Sequence, residues 1–371
     1  MILELHVWGP AFGLPSIDPQ CLAAIALQRL SFPEDAWVLI PDHDATIGPN
    51  NVFPALFDGT LWHSGFRSIA KYLGKHSSLD QDLDEQQKAE GVAYSSLIES
   101  SAQPLLDLSL YVSYENYRQT TRPAWSAILP WHANYILPQN IRTTAKERTA
   151  NLGLSALDID NDDNRDGKKS TSGNAGPQEE VRQLPAEESI KPKSLLLPRK
   201  ETIRSMLNQP KYAGRFKLDA LMSSLFEPLS SLLASKPYLL TSSHPTALDC
   251  LALGYLSIAL SAPVAHPWLR QTLTSKHPTL TSYTKRLIAL TFGPPIHPTD
   301  IPTLNSLPAN DATALSSFRS ERHLTLPWHP KPQPSSITTL ATTSTSLIEG
   351  LAAPLPGSRF LLPGPTILAP S

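Results

Sequence analysis

One stretch limits the chain's folding options more than any other. Residues 54 to 73 read PALFDGTLWHSGFRSIAKYL. "ALFDGTLWH" has the composition of two short strands turning at Asp58-Gly59, a strong two-residue hairpin signal. Ser64 then stands where it can cap a helix that begins near Gly65 and ends at Gly74. The polar end of this strand–turn–strand–helix unit is His63, Ser64 and Gly65. Pro54, directly before it, is a candidate cis proline that would lie near the start of the first helix.

Upstream, Leu3 to Trp8 is a short apolar run of β-forming residues, followed by a loop rich in Gly and Pro. Asp18 and Pro19 form a good helix start, a capping carboxylate followed by a residue that needs no N–H. The helix runs through QCLAAIALQRL, with Leu22, Ile25, Ala26 and Leu30 on one face. Ala36 to Ile40 reads as a second strand. The order is therefore β-α-β-β-β-α, with the first two strands parallel and the last two a hairpin, which is a thioredoxin-like layout.

Beyond Asp80 the strand signals fade and helical patterning dominates. Residues 82 to 112 form one long helix, or two meeting at Pro104. Residues 125 to 141, with their aromatics and prolines, read as short helices and turns. The 36 prolines are about twice the usual share of roughly 5 %. Residues 151 to 193 have almost no apolar side chains and cannot offset the entropy of ordering, so a disordered insert is expected over about 151–197. Helical patterning resumes near Glu201 and runs to about Phe292. A proline-rich extension follows, with weak helical candidates near Ala312 to His323. The expected organisation is an α/β thioredoxin-like domain at 1–78, an all-α domain at 79–292 interrupted by the insert, and the extension at 293–371.

Several function classes fall away. A formal net charge of −2 gives no whole-chain attraction to nucleic acid. Two cysteines, Cys21 and Cys250, make no disulfide framework and fit a reducing compartment. The N-terminal MILELHVWGP has no basic region or cleavage signature, so neither a secretory signal nor a transit peptide is expected. A spanning helix needs about 20 mostly apolar residues. Ala247 to Leu260 is too short and carries Asp249, and Leu351 to Ser371 is broken by prolines and carries Arg359. Membrane association is therefore expected through the surface or a partner.

Few constellations carry chemistry. In HPTALDCLALGYL, Thr246 and Asp249 have capping-box spacing, and the apolar face that follows makes Asp249 a structural carboxylate. Cys21 lies in the first turn of a helix, where the dipole can lower a thiol pKa. It has no partner cysteine in a C-x-x-C arrangement, so packing is its expected role. Asp42 to Asp44 are too close in sequence to converge on a metal. Gly9 and Gly13 lack the Gly-Lys-Ser/Thr of a phosphate loop. The five His-Pro pairs read as turns and helix starts. Trp62, Trp125, Trp131 and Trp268 are read as core or interface residues. No catalytic residue, metal or cofactor is assigned.

DGTLWHSGFRSIAKYL resembles the metaxin motif, in which Ser-Gly-Phe (Ser64, Gly65, Phe66) opens the helix and Ile-x-x-Tyr-Leu closes it. TALDCLALGYLSIAL, Leu273 and HPTLTSYTKRL resemble the C-terminal metaxin pattern. LELHVWGPAFGLPSIDPQCLAAIALQRL is similar to fungal metaxin-like subunits of the mitochondrial sorting and assembly machinery. The resemblance covers about residues 1–140 and 200–292. It implies a glutathione S-transferase-like fold marked by Pro54, Ser64, Gly65, Phe66, Thr246 and Asp249. It implies a non-enzymatic subunit on the cytosolic face of the mitochondrial outer membrane, peripheral or held by partners. Those partners would be the barrel-forming core subunit and a second metaxin-like subunit, with β-barrel precursors and the outer-membrane translocase as further contacts.

In glutathione transferases, by the same resemblance, an acidic residue followed by Ser holds the γ-glutamyl end of the ligand. Here the acidic position is His63. Losing a hydrogen bond to a charged group costs roughly 1.5–3 kcal/mol, about ten- to hundredfold in affinity. The competing reading is a glutathione-dependent transferase or thiol reductase using Cys21 or Ser16. A third is a glutathione-transferase-like assembly module elsewhere in the cytosol.

Overall fold

Asp18 accepts the Cys21 N–H at 2.9 Å and Pro19 fills the first helical position, which fixes the start of α1 (Pro19–Ser31). Around it the computed structural model, which describes residues 2–77, 79–154, 210–301, 317, 320 and 324–329, places one mixed sheet. Its strands are β1 (Leu3–Trp8), β2 (Trp37–Asp42), β3 (Ala55–Phe57) and β4 (Trp62–Ser64), in the spatial order β2-β1-β3-β4. α1 returns the chain across the sheet, so β1 and β2 pair in parallel; β3 and β4 are antiparallel, as is β3 with β1.

The hairpin differs from the expected two-residue turn. Phe57 faces Trp62, which leaves Asp58 to Leu61 as a four-residue loop. Asp58 sets this length: its N–H donates to the Leu61 carbonyl at 3.1 Å, while its carboxylate accepts from the N–H groups of Thr60 and Leu61 and from the Thr60 hydroxyl.

α2 (Phe66–Leu73) follows, but Ser64 does not cap it. Ser64 belongs to β4, and the residue at the helix entrance is Gly65, at φ 79°. That backbone geometry suits glycine, and no neighbouring atom lies within 4 Å of where its Cβ would be.

The helical part comprises α3 (Glu85–Asp107), α4 (Arg122–Ile128), α5 (Trp131–Thr149), α6 (Pro210–Leu233), α7 (Ala247–Ser261), α8 (Trp268–Lys276) and α9 (Pro278–Thr291). Of the two readings left open at Pro104 the single helix holds, with Pro104 inside α3, whereas Pro138, expected among short helices and turns, lies inside α5. Buried Ala102, Leu105 and Leu106 beside Pro104 outweigh its lost backbone bond. Asp84 and Gln87 form a reciprocal capping box that starts α3. Residues 108–121 continue as π-type turns around one three-residue helical turn.

α1 joins the two parts. Cys21 through Ala26 are all fully buried, because the helix packs against β1 and α2 as well as α7 and α9. α1 and α7 cross backbone to backbone: a Cβ on Gly254 would lie 2.2 Å from the Pro19 carbonyl oxygen. Only glycine permits that approach.

The edge of β2 is covered by residues that lie far along the chain. Leu39 donates to the Pro327 carbonyl at 2.9 Å, and His329 donates to the Leu39 carbonyl at 2.8 Å, a parallel bridge between Leu39 and Trp328. Trp328 is completely buried. Thr325 ties this strap to the end of α9 through the Phe292 carbonyl, and Ile296 donates to Gly13. Nothing in the local sequence of this proline-rich extension gave a strand. From residue 155 on, the expected disordered insert lies outside the described residues, as do most of the helical candidates at 312–323.

Candidate functional site

The β3–β4–α2 unit carries the residues singled out in the sequence, and its inner side is closed by the chain itself. The Phe53–Pro54 peptide is cis, and the Gly65 N–H donates to the Pro54 carbonyl at 2.8 Å. Ala55 and Ser64 are paired across the hairpin. Gly48, in the loop after β2, lies directly over this pair. A Cβ there would be 2.8 Å from the Ser64 oxygen and 3.0 Å from the Ala55 Cβ. The Ser64 hydroxyl is consequently enclosed without a hydrogen-bond partner. The one side chain that would be expected to greet a carboxylate at the start of α2 faces glycine backbone instead.

His63, next along the strand, points to the other face. Its ring stacks on Tyr72 at 4.2 Å, and its Nε2 lies 3.6 Å from the Asp58 carboxylate. Asp58 is held well below the usual carboxylate range by the Leu61 N–H, the Thr60 hydroxyl and the Thr60 N–H. The residue in the acidic position thus braces α2 against the hairpin turn. Tyr72 belongs to the Ile-x-x-Tyr-Leu signature, but sequence alone did not pair it with His63. Nor did anything in Gly48-Pro49 beyond a turn signal place that loop over Ser64.

The two candidate nucleophiles are buried. Cys21 and Ser16 have no exposed surface. Burial, with the Asp18 charge adding to it, pushes the Cys21 thiol well above its ordinary value, overriding any help from the helix N-terminus. The Ser16 hydroxyl accepts the Asp18 N–H at 3.3 Å. Cys21 serves the core between α1 and its neighbours.

Thr246 and Asp249 meet at the start of α7. One Asp249 oxygen accepts the Thr246 N–H at 2.8 Å and the Thr246 hydroxyl at 2.7 Å. The other accepts the Leu239 N–H at 2.9 Å and the Tyr283 hydroxyl at 2.6 Å. This fully buried carboxylate joins α7 to α9 and to the loop after α6. A second acid, Asp80, accepts the Ala247 N–H at 3.1 Å, and burial raises its pKa. Its role was not legible in sequence, since it comes from a loop 167 residues away.

A cleft of about 350 Å³ opens between α2, α3 and α7, walled by Phe66, Val92, Leu248 and Leu251. An Arg67–Glu99 ion pair spans part of it. Asp42, whose spacing from Asp44 argued against a metal, bonds the His6 ring at 3.2 Å and accepts from the N–H groups of His43 and Asp44. Among the described residues no group of three or more His, Cys, Asp or Glu is placed to hold a metal.

Trp125 is buried, whereas Trp131 departs from the expected core or interface role with its side chain in solvent. It opens α5 at Pro130, where the inward stripe of the helix has yet to begin. Four of the five His-Pro pairs lie in described structure at or before helix starts, including His277-Pro278 at α9.

Residues 21–142 match the family described as "Outer mitochondrial membrane transport complex protein", and residues 222–287 match "Glutathione S-transferase, C-terminal domain". Metaxin-3 of Xenopus laevis is 28 % identical over 148 residues, covering 40 % of this chain and 47 % of its own length. Metaxin-1 of Mus musculus is 27 % identical over 148 residues, covering 39 % and 46 %. The chain thus spans about half the length of the curated relatives it matches. A glutathione transferase from Phanerochaete chrysosporium superposes with a TM-score of 0.45 at 12 % identity, covering 79 % of this chain and 98 % of that one, a likeness too slight to carry an argument.

Proposed function

We propose that this chain, a metaxin-family protein with a glutathione S-transferase-like fold, is a non-catalytic subunit of the machinery that sorts and assembles β-barrel precursors at the mitochondrial outer membrane. It works there as a scaffold, supporting the folding, insertion and release of barrels. Its partners are the barrel-forming core subunit and a second metaxin-like subunit. It lies on the cytosolic face, peripheral or held by those partners. Among the described residues no helix is long and apolar enough to cross a membrane.

The observation that carries the non-catalytic reading is the enclosed Ser64 hydroxyl. A γ-glutamyl carboxylate would need that hydroxyl and the α2 N-terminus to be open. The missing acidic group at His63 and the buried Cys21 and Ser16 point the same way. Each would have to be undone separately for thiol chemistry to proceed.

The test is affinity capture of the tagged full-length chain from detergent-solubilised mitochondria. Co-elution of the barrel-forming subunit and a second metaxin-like chain is expected. Their absence from the eluate overturns the assignment. Glutathione binding at millimolar concentration or tighter, with turnover of an electrophile, would establish the transferase instead.

A further inference from the structure

The first two turns of α5 leave in water the side chains that a globular protein most readily buries. Trp131 is 76 % exposed, Tyr135 73 % and Ile136 45 %. Trp131 and Tyr135, four residues apart, lie one above the other on the helix, and Ile136 stands about 100° further round beside Tyr135. Further along the helix the line that Trp131 and Tyr135 begin turns inward and is continued by buried Pro138, Ala145 and Thr149. Downstream on the outer face come Gln139, Asn140, Thr143 and Thr144, polar but uncharged.

The segment that carries this ledge has charges of one sign, while the Asp42–Asp44 loop reaches its first turn where the His43 ring meets that of His132 at 6.2 Å. From Tyr117 to Lys146 the chain carries Arg118, Arg122, Arg142 and Lys146 and no Asp or Glu, in a sequence where acids outnumber bases 33 to 31. Two of these cations are held in place, Arg122 beside the ledge and Arg142 further along α5. Arg122 donates to the Asn134 side chain, within one turn of Trp131. Arg142 lies over the Tyr117 ring at 4.6 Å and donates to the Tyr111 carbonyl at 3.0 Å. A Trp and a Tyr on one stripe, with aliphatic bulk beside them and fixed cations at the border, match the headgroup layer of an anionic bilayer. Indole and phenol rings favour that layer because one end is apolar and the other hydrogen-bonds to water. Basic side chains at its border attract acidic lipids.

We propose that the Trp131–Tyr135–Ile136 ledge docks into the headgroup region of an anionic membrane and so gives the chain a lipid contact of its own. The choice of membrane rests on the function proposed above; the lipid contact does not. α5 would then lie with its first two turns against the bilayer.

The experiment uses the purified full-length chain and flotation with phosphatidylcholine vesicles, with and without phosphatidylinositol. The wild type should float with the anionic vesicles and lose most of that binding in high salt. Trp131→Ser/Tyr135→Ser should cut the vesicle-bound fraction by at least about fivefold, with an unchanged melting curve because both side chains are exposed. Trp131→Phe should keep most of the binding but lose the quenching by lipids brominated near the headgroup that the wild type displays. Failure of the wild type to float, or equal flotation of the double variant, overturns the proposal. So does a double variant that floats normally but no longer captures proteins in detergent, since the ledge would then be a protein interface. Capture of partners by the wild type in detergent is read separately, so either reading can fail alone.

Discussion

Asp249 has every acceptor position in use, and none of its four donors has water to fall back on. Asp249→Ala strips partners from two backbone N–H groups and two hydroxyls at once. A loss of at least about 3 kcal/mol is expected in urea unfolding. Tyr283→Phe removes one donor and should cost only about 1–2 kcal/mol. Since the two share a bond, the double variant should fall short of the sum of the single ones. The Thr-x-x-Asp spacing gave the box and its burial; the third and fourth donors come from Leu239 and Tyr283, which no local pattern ties to it. His63 teaches the same limit from the other direction. The missing carboxylate was legible in one line of sequence, but the loop glycine over Ser64 was not, because that contact exists only in three dimensions. It leads to a further expectation: His63→Glu, verified as folded by circular dichroism, should still give no binding isotherm with millimolar glutathione. A measurable isotherm would mean that charge alone separates this pocket from a working one.

Between elements, what holds the helical part together is a mixture of near-contact backbones and a buried charge. Asp107, at the end of α3, is fully buried and is gripped by Arg148 of α5 through two bonds of 2.9 and 3.0 Å, with Gln103 giving a third. Burial raises the Asp107 pKa and Arg148 draws it back down. Arg148→Met removes that compensation, so the folded-state value climbs further above the unfolded one. A carboxyl raised in this way costs stability above its unfolded pKa, near 4, and costs nothing once pH drops below it. The variant should therefore lose about 2–3 kcal/mol near neutrality, the lower end because Arg148 is half exposed, and the deficit should shrink as urea melts are repeated towards pH 4. The strand–helix order at the N-terminus followed from turn and cap chemistry, which is local. The choice between one helix and two at Pro104, and the length of α5, did not, because Pro104 and Pro138 are tolerated for the sake of packing that only the assembled helices provide.

Taken from end to end, the chain finishes its sheet with residues whose local pattern offers no sign of a strand. Trp328 fills the core beside β2 and its neighbours close a strand edge that would otherwise present unpaired backbone groups. Trp328→Ala should cost about 3–5 kcal/mol and speed amide hydrogen exchange at Leu39 ahead of β1 and β3. Size-exclusion chromatography should then find more self-association, and an unchanged elution profile together with an unchanged melt would mean the strap is dispensable. The register of this closure also sets a clock. β2 leaves the ribosome early, while the strap is translated roughly 15–60 s later at about 5–20 residues per second. For all of that interval Leu39 has no strap to bond on its outer side, so the margin of the sheet is completed only after both parts of the fold have been made.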